Sequence, residues 1–243
     1  MNYKIFLAGA SGAIGRRLVP LLCNAGHQVV GTTRTAQGAE TLRALGSEPV
    51  IVDGFNTEAL SQALLAARPE IIIHQLTGLS AWKAGRIEEA ITQNVRVRTE
   101  GTRNLVKAAL AGRARRLIAQ SIAWVYAPGS LPHSETDPLD VEAQGTTAVT
   151  VRGVMALESA VLNSPPLEGI VLRYGLFYGP GTGHEAPAGE SPIHVDAAAY
   201  AAVLAIDHGA AGSVFNIAEP NGFIATEKAL TELGWHADFR LSP

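Results

Sequence analysis

The sequence predicts an α/β protein built on a doubly wound parallel sheet with a small C-terminal lobe. Short apolar runs alternate with helical stretches, as in the run Lys4–Ala8 and the helix predicted over 13–25. The runs are almost wholly apolar, which is typical of strands covered on both faces of a parallel sheet. Strand–helix repeats with connections of this length favour βαβ crossovers.

The remaining elements follow this alternation along the chain. Strands are predicted over residues 27–33, 49–52, 70–75, 116–120, 169–173 and 213–217. Helices are predicted over 35–45, 57–67, 86–111, 150–163, 195–207 and 225–233. The pattern loosens after residue 176, where Gly179–Gly183 indicates a turn or flexible segment.

Composition limits the classes of partner that we expect. The 243 residues are 47% hydrophobic and 17% charged, with a net charge of −3, which is typical of a globular chain without a basic excess. We therefore expect neither nucleic acid nor an anionic membrane surface as a partner. No apolar run approaches the roughly 18 residues of a membrane span, and the single cysteine excludes an internal disulfide, so we expect a cytoplasmic protein.

A glycine-rich turn between the first strand and the first helix predicts a diphosphate site. Three glycines stand at Gly9, Gly12 and Gly15, where a helix N-terminus offers free N–H groups and the favourable end of its dipole. The position of the triplet at the start of a βαβ unit predicts a Rossmann-type dinucleotide site. The alternative is a tight structural turn. The expected contacts of the turn are Gly9, Ser11, Gly12, Ala13, Ile14 and Gly15.

The Gly-x-x-Gly-x-x-Gly spacing resembles that of the short-chain dehydrogenase/reductase family, in particular its extended or atypical, NAD(P)-dependent epimerase/dehydratase-like branch. The resemblance covers roughly residues 3 to 220. Other matching segments are Val52–Gly54, Asn94 with Gly101–Val106, Ser121–Tyr126, Leu172–Pro180 and Ile193–Asp196. Several such segments in the right order are more specific than any one of them.

The end of the second strand indicates which nicotinamide cofactor binds. NAD-binding proteins usually place an acidic side chain there, to accept a hydrogen bond from the ribose 2′-OH. This chain has no acid from Val29 to Gln37 and carries Arg34, whose guanidinium could pair with a 2′-phosphate. We therefore predict NADP in preference to NAD. The alternative for Arg34 is an ordinary surface arginine.

The resemblance implies further cofactor contacts along the sheet edge. Asp53 or its neighbour Gly54 would meet the adenine, although a strand-end Asp also commonly caps a turn. Asn94 lies on the apolar stripe of its helix, so its buried amide must be hydrogen-bonded, through a water or backbone link near the active site or through a structural carbonyl contact. The remaining contacts that we predict are Gln75, Leu76, Thr77, Ser121, Tyr174 and Gly175.

The catalytic residues that the resemblance implies are only partly present. Ser121 matches the residue that hydrogen-bonds a substrate carbonyl or hydroxyl, although it could instead close a turn. The usual Tyr-x-x-x-Lys pair, on one helix face, is absent, because its positions correspond to Thr150 and Val154. Tyr178 is a candidate replacement acid, with a packing aromatic as the alternative.

We predict Tyr126 and His194 as substrate contacts. No histidine pairing or cysteine partner indicates a metal site. The prediction is an oxidoreductase or epimerase/dehydratase-like enzyme acting on a small carbonyl, hydroxyl or sugar-type substrate. The alternative is a non-catalytic NADP-binding redox sensor or regulatory protein.

The predicted domain organisation is a dinucleotide-binding domain over residues 1–175 and a small substrate-side lobe over 176–243, packed on the same core as one unit. The resemblance also implies a homodimer formed through the helices at 86–111 and 150–163. No other macromolecular partner is expected.

Overall fold

The computed structural model describes residues 1–79 and 85–241. Its seven-stranded parallel sheet, flanked by helices, confirms the predicted fold class. The strands are β1 (Lys4–Ala8), β2 (Gln28–Thr33), β3 (Glu48–Ile51), β4 (Ile71–His74), β5 (Arg116–Ile122), β6 (Glu168–Tyr174), β7 (Leu176–Tyr178), β8 (Pro192–His194) and β9 (Val214–Ile217). The helices are α1 (Ala13–Asn24), α2 (Ala36–Ala44), α3 (Thr57–Ala67), α4 (Ile87–Arg96), α5 (Thr102–Ala111), α6 (Gly145–Leu162) and α7 (Val195–Leu204).

The order of the strands creates a crevice at one edge of the sheet. The order is β3-β2-β1-β4-β5-β6-β9, and Ile5 of β1 pairs with Val29 on one side and Ile71 on the other. After β3 the chain returns to the opposite side of β1, so the direction of strand addition reverses between β1 and β4. Ligands of open α/β sheets bind outside the carboxyl ends of the strands at such a point.

Two apolar clusters hold the helices against the sheet. On one face, α1 and α7 pack on inward-facing side chains such as Leu7 and Ile73. On the other face, α3, α5 and α6 pack on side chains such as Phe6, Ile72 and Leu117. Alternate residues of a strand therefore enter opposite layers, which explains why the sequence shows continuous apolar runs. No helix within the described ranges is long and apolar enough to cross a membrane.

The helix predicted over 86–111 is interrupted by a different helical geometry. A π-helical turn, Val97–Gly101, lies directly between α4 and α5. Such turns close hydrogen bonds from residue i to i+5 and change which side chains face a neighbouring layer. Hydrophobic periodicity assumes 3.6 residues per turn and does not detect this change.

Other boundaries also differ from the prediction. The helix predicted from residue 150 begins at Gly145, ahead of threonines that have weak helix propensity. The predicted helix over 225–233 contains a short π-helical turn, Ala229–Leu233. The parallel pair formed by β7 and β8 was not predicted, since strands of three residues carry little periodicity.

The C-terminal part of the chain contributes to the main sheet. Strand β9 pairs with β6, with Leu172 opposite Phe215, and α7 packs against α1. Within the described ranges, the β7–β8 pair forms a separate two-stranded sheet. The predicted division at residue 175 therefore does not coincide with a break in the sheet, and the two-domain description stays a prediction.

His74, the last residue of β4, is a buried structural histidine. Its Nδ1 accepts a hydrogen bond from the Leu76 N–H at 3.2 Å, so the proton lies on Nε2, which donates to Thr102 Oγ1 at 2.9 Å. Burial lowers the pKa of His74 from 6.5 to about 4. The neutral ring thus links β4 to the start of α5.

We expect His74 to make stability fall in mild acid. Between pH 6.5 and about 4 the histidine is protonated in the unfolded chain but stays neutral in the folded protein. The free energy of unfolding should therefore fall by about 3 kcal/mol as the pH is lowered through this window, and it should level off below pH 4. Urea denaturation at several pH values measures this loss.

His74→Gln is the comparison, because its amide can hydrogen-bond without titrating. Burial also lowers the pKa of His27 and His194, so a smaller slope should remain in this variant. An identical slope in both proteins would show that His74 does not titrate as its environment indicates.

Candidate functional site

A pocket lies in the crevice at the carboxyl ends of β1, β2 and β4. The sequence-predicted residues that line it are Gly9, Ser11, Gly12, Arg34, Asp53, Gly54, Gln75, Leu76 and Thr77. The pocket is completed by residues that were not predicted as contacts, namely Thr32, Thr33, Val52, Phe55, Val97 and Gly101; of these, Val52 and Gly101 belong to segments that resemble the family. The structure therefore brings the glycine turn, the end of β2 and the segments after β3 and β4 together.

Two glycines allow the chain to turn tightly between β1 and α1. Gly9 has a φ of +86°, and a Cβ there would lie 2.6 Å from the carbonyl oxygen of Gln75, at the end of β4. A Cβ on Gly15 would collide with the carbonyls of Gly9 and Ala10. Any side chain at either position would push the turn away from β4 or from the first turn of α1.

The N-terminus of α1 opens into this pocket without a side-chain cap. Gly12 is the N-cap residue, and no acidic residue lies in the first turn of the helix. The first amides of a helix have no intrahelical partner, and the helix dipole favours negative charge there. Backbone donors and a side-chain-free cradle fit the diphosphate of a dinucleotide.

Part of the pocket lining is apolar, and we call this part, formed by Phe55 and Val97, the slot. The Arg96 guanidinium covers the Phe55 ring at 3.9 Å from its centre. Asp53 accepts a hydrogen bond from the Phe55 N–H at 3.0 Å, so this carboxylate shapes the turn that carries the ring. The slot suits an aromatic base.

The segment after β4 is held by Asn94. Its side-chain oxygen accepts a hydrogen bond from the Gly78 N–H at 3.0 Å, so it positions residues 75–78 without lining the pocket itself. The Gln75 amide lies buried beside the Tyr174 hydroxyl, and neither group makes a hydrogen bond of good geometry within the described residues. Burial raises the pKa of Tyr174 far above its usual range.

Ser121 is engaged by a buried ion pair. Its hydroxyl donates to Glu158 Oε1 at 2.7 Å, and Arg173 donates to both oxygens of the same carboxylate at 2.9 and 2.7 Å. All three side chains are buried. The assignment of Ser121 as a catalytic and cofactor-binding residue stays a prediction, and its hydroxyl serves Glu158 in this structure.

Tyr126 continues the same network toward β9. Its hydroxyl accepts a hydrogen bond from Arg173 at 2.9 Å and donates to Asn216 Oδ1 at 2.6 Å. The ring stacks on His133 at 5.1 Å between centroids. These two hydrogen bonds and the ring stack fix the Tyr126 side chain, and its predicted substrate contact stays a prediction.

The other candidate residues lie in the C-terminal region. Tyr178 donates to Glu219 Oε1 at 2.6 Å and accepts from Arg240 at 3.1 Å. Burial and the bond to Glu219 raise the pKa of Tyr178, which makes the phenol a weaker acid. His194 caps α7 by accepting from the Asp196 N–H and packs its ring edge-to-face on Tyr178. Both roles stay predictions.

The remaining predicted contacts support the turn and the sheet rather than line the pocket. These are Ala13, Ile14, Gly15, Tyr174 and Gly175. In α6, Val154 is fully buried and Thr150 is half-buried, and neither residue supplies a phenol or a charge; their assignment to the usual acid pair stays a prediction. No group of three His, Cys, Asp or Glu side chains among the described residues could hold a metal ion.

Sequence comparison identifies the family. The pattern of the NAD dependent epimerase/dehydratase family matches residues 5–192, well over half of the chain. The chain belongs to this family. The resemblance inferred from the glycine turn and the segments after it is thereby confirmed.

Two relatives illustrate the range of reactions in the epimerase/dehydratase family. A "3-diazoavenalumate denitrifying reductase" from a Streptomyces species is 42% identical over 230 residues, which cover 86% of this chain and 74% of the relative. A UDP-N-acetyl-alpha-D-glucosaminuronate decarboxylase from Bacillus cytotoxicus is 26% identical over 203 residues, 82% of this chain and 62% of that protein.

Solved structures of the family share the fold. The UDP-glucose 4-epimerase of Thermotoga maritima, solved with UDP-glucose, superposes with a TM-score of 0.78 at 20% identity, covering 99% of this chain and 94% of that one. The UDP-glucose 4-epimerase of Thermus thermophilus, solved with NAD, gives a TM-score of 0.76 at 18% identity, covering 99% and 95%.

We expect Gly12→Asp to abolish dinucleotide binding while preserving the fold. Gly12 has extended backbone angles that any residue adopts, and Asp is a favourable N-cap, but its carboxylate would repel a diphosphate at the helix N-terminus. A new Cβ would lie 3.3 Å from the Gly9 carbonyl oxygen, which requires only a small adjustment. NADPH fluorescence titration and thermal unfolding measure the two effects.

Gly12→Asn is the matched control, since it caps equally well without charge. It should bind far more tightly than the Asp variant. Equal NADPH affinity in the wild type and the Asp variant would place the diphosphate elsewhere.

Proposed function

We propose that this chain is an NADPH-dependent reductase whose acceptor takes up hydride without a proton from a protein acid. The observation that carries the proposal is the contrast between the two parts of the site. The glycine turn and the ends of β2 and β4 line a pocket that suits a dinucleotide, whereas α6 carries Thr150 and Val154 at the positions expected for an acid pair, and Glu158 accepts a hydrogen bond from the Ser121 hydroxyl. Bound NADPH would supply a hydride at the carboxyl edge of the central strands.

The preference for NADPH rests on Arg34. This exposed side chain lines the pocket at the end of β2, and Thr32 and Thr33 are the residues before it. No carboxylate follows β2 to accept from a ribose 2′-OH or to repel a 2′-phosphate. A guanidinium at this place can donate two parallel hydrogen bonds to a phosphate.

The acceptor chemistry is suggested by the reductase at 42% identity, whose name describes a diazo substrate and loss of nitrogen. When an aryl diazonium ion gains a hydride, a C–H bond replaces the C–N bond and dinitrogen leaves with the electron pair of that bond. The balance is one hydride for one positive charge, and no proton is consumed. A site without a tyrosine acid suits this reaction better than carbonyl reduction, which needs a proton on oxygen.

The chain's own residues would then bind and orient rather than transfer protons. The α1 amides would hold the diphosphate, the slot beside Phe55 would hold the adenine, and Asn94, which binds the Gly78 N–H, would fix the segment 75–78 along the cofactor. A cofactor held in a fixed geometry against its acceptor needs little further help when no proton moves.

Charge reversal at Arg34 should exchange the cofactor preference. We expect Arg34→Glu to weaken NADPH binding by about 100-fold, through the loss of one charge-assisted contact and the gain of a repulsive one, with little effect on NADH. Fluorescence titration with both cofactors measures the ratio.

Arg43→Glu, at an exposed position of α2, is the control for a general change in charge. A similar loss in both variants, or an unchanged NADPH to NADH ratio in Arg34→Glu, would contradict the assignment.

The reaction itself is tested with stable arenediazonium salts. We expect the protein to oxidise NADPH with release of dinitrogen and arene, and deuterium from 4-deuterated NADPH to appear at the carbon that carried the diazonium group. Gly12→Asp is the control for uncatalysed reduction. Aldehydes, ketones and nucleotide sugars should not be converted.

Tight NADPH binding without turnover of any of these acceptors would favour the alternative, a non-catalytic NADP-binding sensor or regulatory protein. Conversion of carbonyl substrates at comparable rates would instead require a proton donor and would contradict the proposal.

A further inference from the structure

Arg98 is a buried cation that the proposed hydride transfer does not use. It lies in the π-helical turn Val97–Gly101 and is only 8% exposed. Within residues 1–79 and 85–241 its guanidinium makes no hydrogen bond and no ion pair. Because a buried guanidinium is costly without an anionic partner, its placement needs an explanation.

The charges around Arg98 leave it only partly compensated. Burial lowers the pKa of Arg98 to about 10, and Glu158 is the one negative charge that acts against this effect. The Glu158 carboxylate is already bound at both oxygens by Arg173, and it also accepts from Ser121. Arg173 and Arg98 thus both interact with the Glu158 carboxylate, but only Arg173 forms hydrogen bonds to it.

The packing of α6 shows how far Arg98 reaches along the site. A Cβ on Gly153 would lie 3.5 Å from Arg98 Cδ, so the side chain passes directly beside this glycine. Glu158 meets Ser121 near the end of β5, and Gly153 lies five residues earlier, about 7.5 Å further out along the helix. Arg98 therefore lies beside the part of α6 that carries Thr150 and Val154, beyond the carboxyl edge of the sheet.

The direction in which the Arg98 side chain extends is consistent with this position. Helices that connect parallel strands run opposite to them, so α4 and the π-helical turn have their N-terminal ends at the carboxyl edge. Side chains on a helix lean toward its N-terminus, so the Arg98 side chain extends toward the carboxyl edge of the sheet, where ligands bind. π-helical turns of this kind are frequent at functional sites.

We propose that Arg98 is a substrate-binding residue that receives a carboxylate of the acceptor between the π-helical turn and α6. A planar carboxylate matches the two parallel N–H groups of a guanidinium and would neutralise the buried charge. The diphosphate would be held at a different place, by the N-terminus of α1. The substrate class is therefore an anionic aromatic acid, and this extension rests on the proposed reductase function for the reaction that follows binding.

Binding can be tested without turnover, using cinnamate and cinnamamide as probes that differ only in charge. We expect the NADPH-loaded wild type to bind cinnamate at least about tenfold more tightly than cinnamamide in isothermal titration calorimetry. Arg98→Gln should lose this preference and keep its NADPH affinity, and Arg98→Lys should keep part of it, because an ammonium retains the charge but not the bidentate geometry.

Arg152→Gln is the matched control, since this exposed arginine lies on α6 beside Gly153. It should preserve the preference for cinnamate. The wild-type comparison stands even if Arg98→Gln fails to fold, and equal binding of the two probes would overturn the proposal.

Two further outcomes would also overturn the proposal: retention of the preference in a folded Arg98→Gln protein, or a loss of NADPH affinity in that variant equal to its loss of cinnamate affinity. Failure to reduce diazonium salts alongside a clear carboxylate preference would instead count against the proposed reaction alone.

Discussion

The site depends on the close approach of two backbone segments, the turn after β1 and the end of β4. Gly9 and the Gln75 carbonyl approach so closely that no Cβ fits between them, and Gly15 lets α1 begin directly against the same turn. This contact places the free amides of α1 at the mouth of the crevice where the strand order reverses. Arg34, Phe55 and the segment 75–78 become parts of one pocket only because the turn lies here.

The buried pair of Glu158 and Arg173 determines which side chains beside the pocket keep a free hydrogen-bonding group. Glu158 accepts a hydrogen bond from the Ser121 hydroxyl. Arg173 extends the network through the Tyr126 hydroxyl to Asn216 on β9. Buried side chains that hydrogen-bond one another in this way form a rigid network, and the Ser121 hydroxyl donates to Glu158 rather than to a developing oxyanion. The family shares a fold across several chemistries. The chemistry proposed here is one in which Ser121 and Glu158 transfer no proton to the acceptor.

The π-helical turn has a second effect on the same region. It allows Val97 and Gly101 to line the cofactor pocket while Arg98, the residue after Val97, faces α6. One segment thus contacts the two neighbouring parts of the site. The charge it brings is buried by α6, where Gly153 leaves room for the aliphatic part of the arginine. Arg98 therefore adds a positive charge near Glu158, although no lysine lies at position 154.

The sequence by itself determined the fold class, the glycine turn after β1, the lack of an acid from Val29 to Gln37 and the lack of a Tyr-x-x-x-Lys pattern, because each is a local pattern in neighbouring residues. It did not reveal Val97 and Arg98 as parts of the site, and it gave Gly101 only as part of a matching segment, since a π-helical turn changes the helical period on which the prediction relies. Nor did it reveal that Glu158 would engage Ser121, 37 residues earlier. Only the tertiary structure decided these contacts, because they depend on which helix faces which strand and on where charges lose their water.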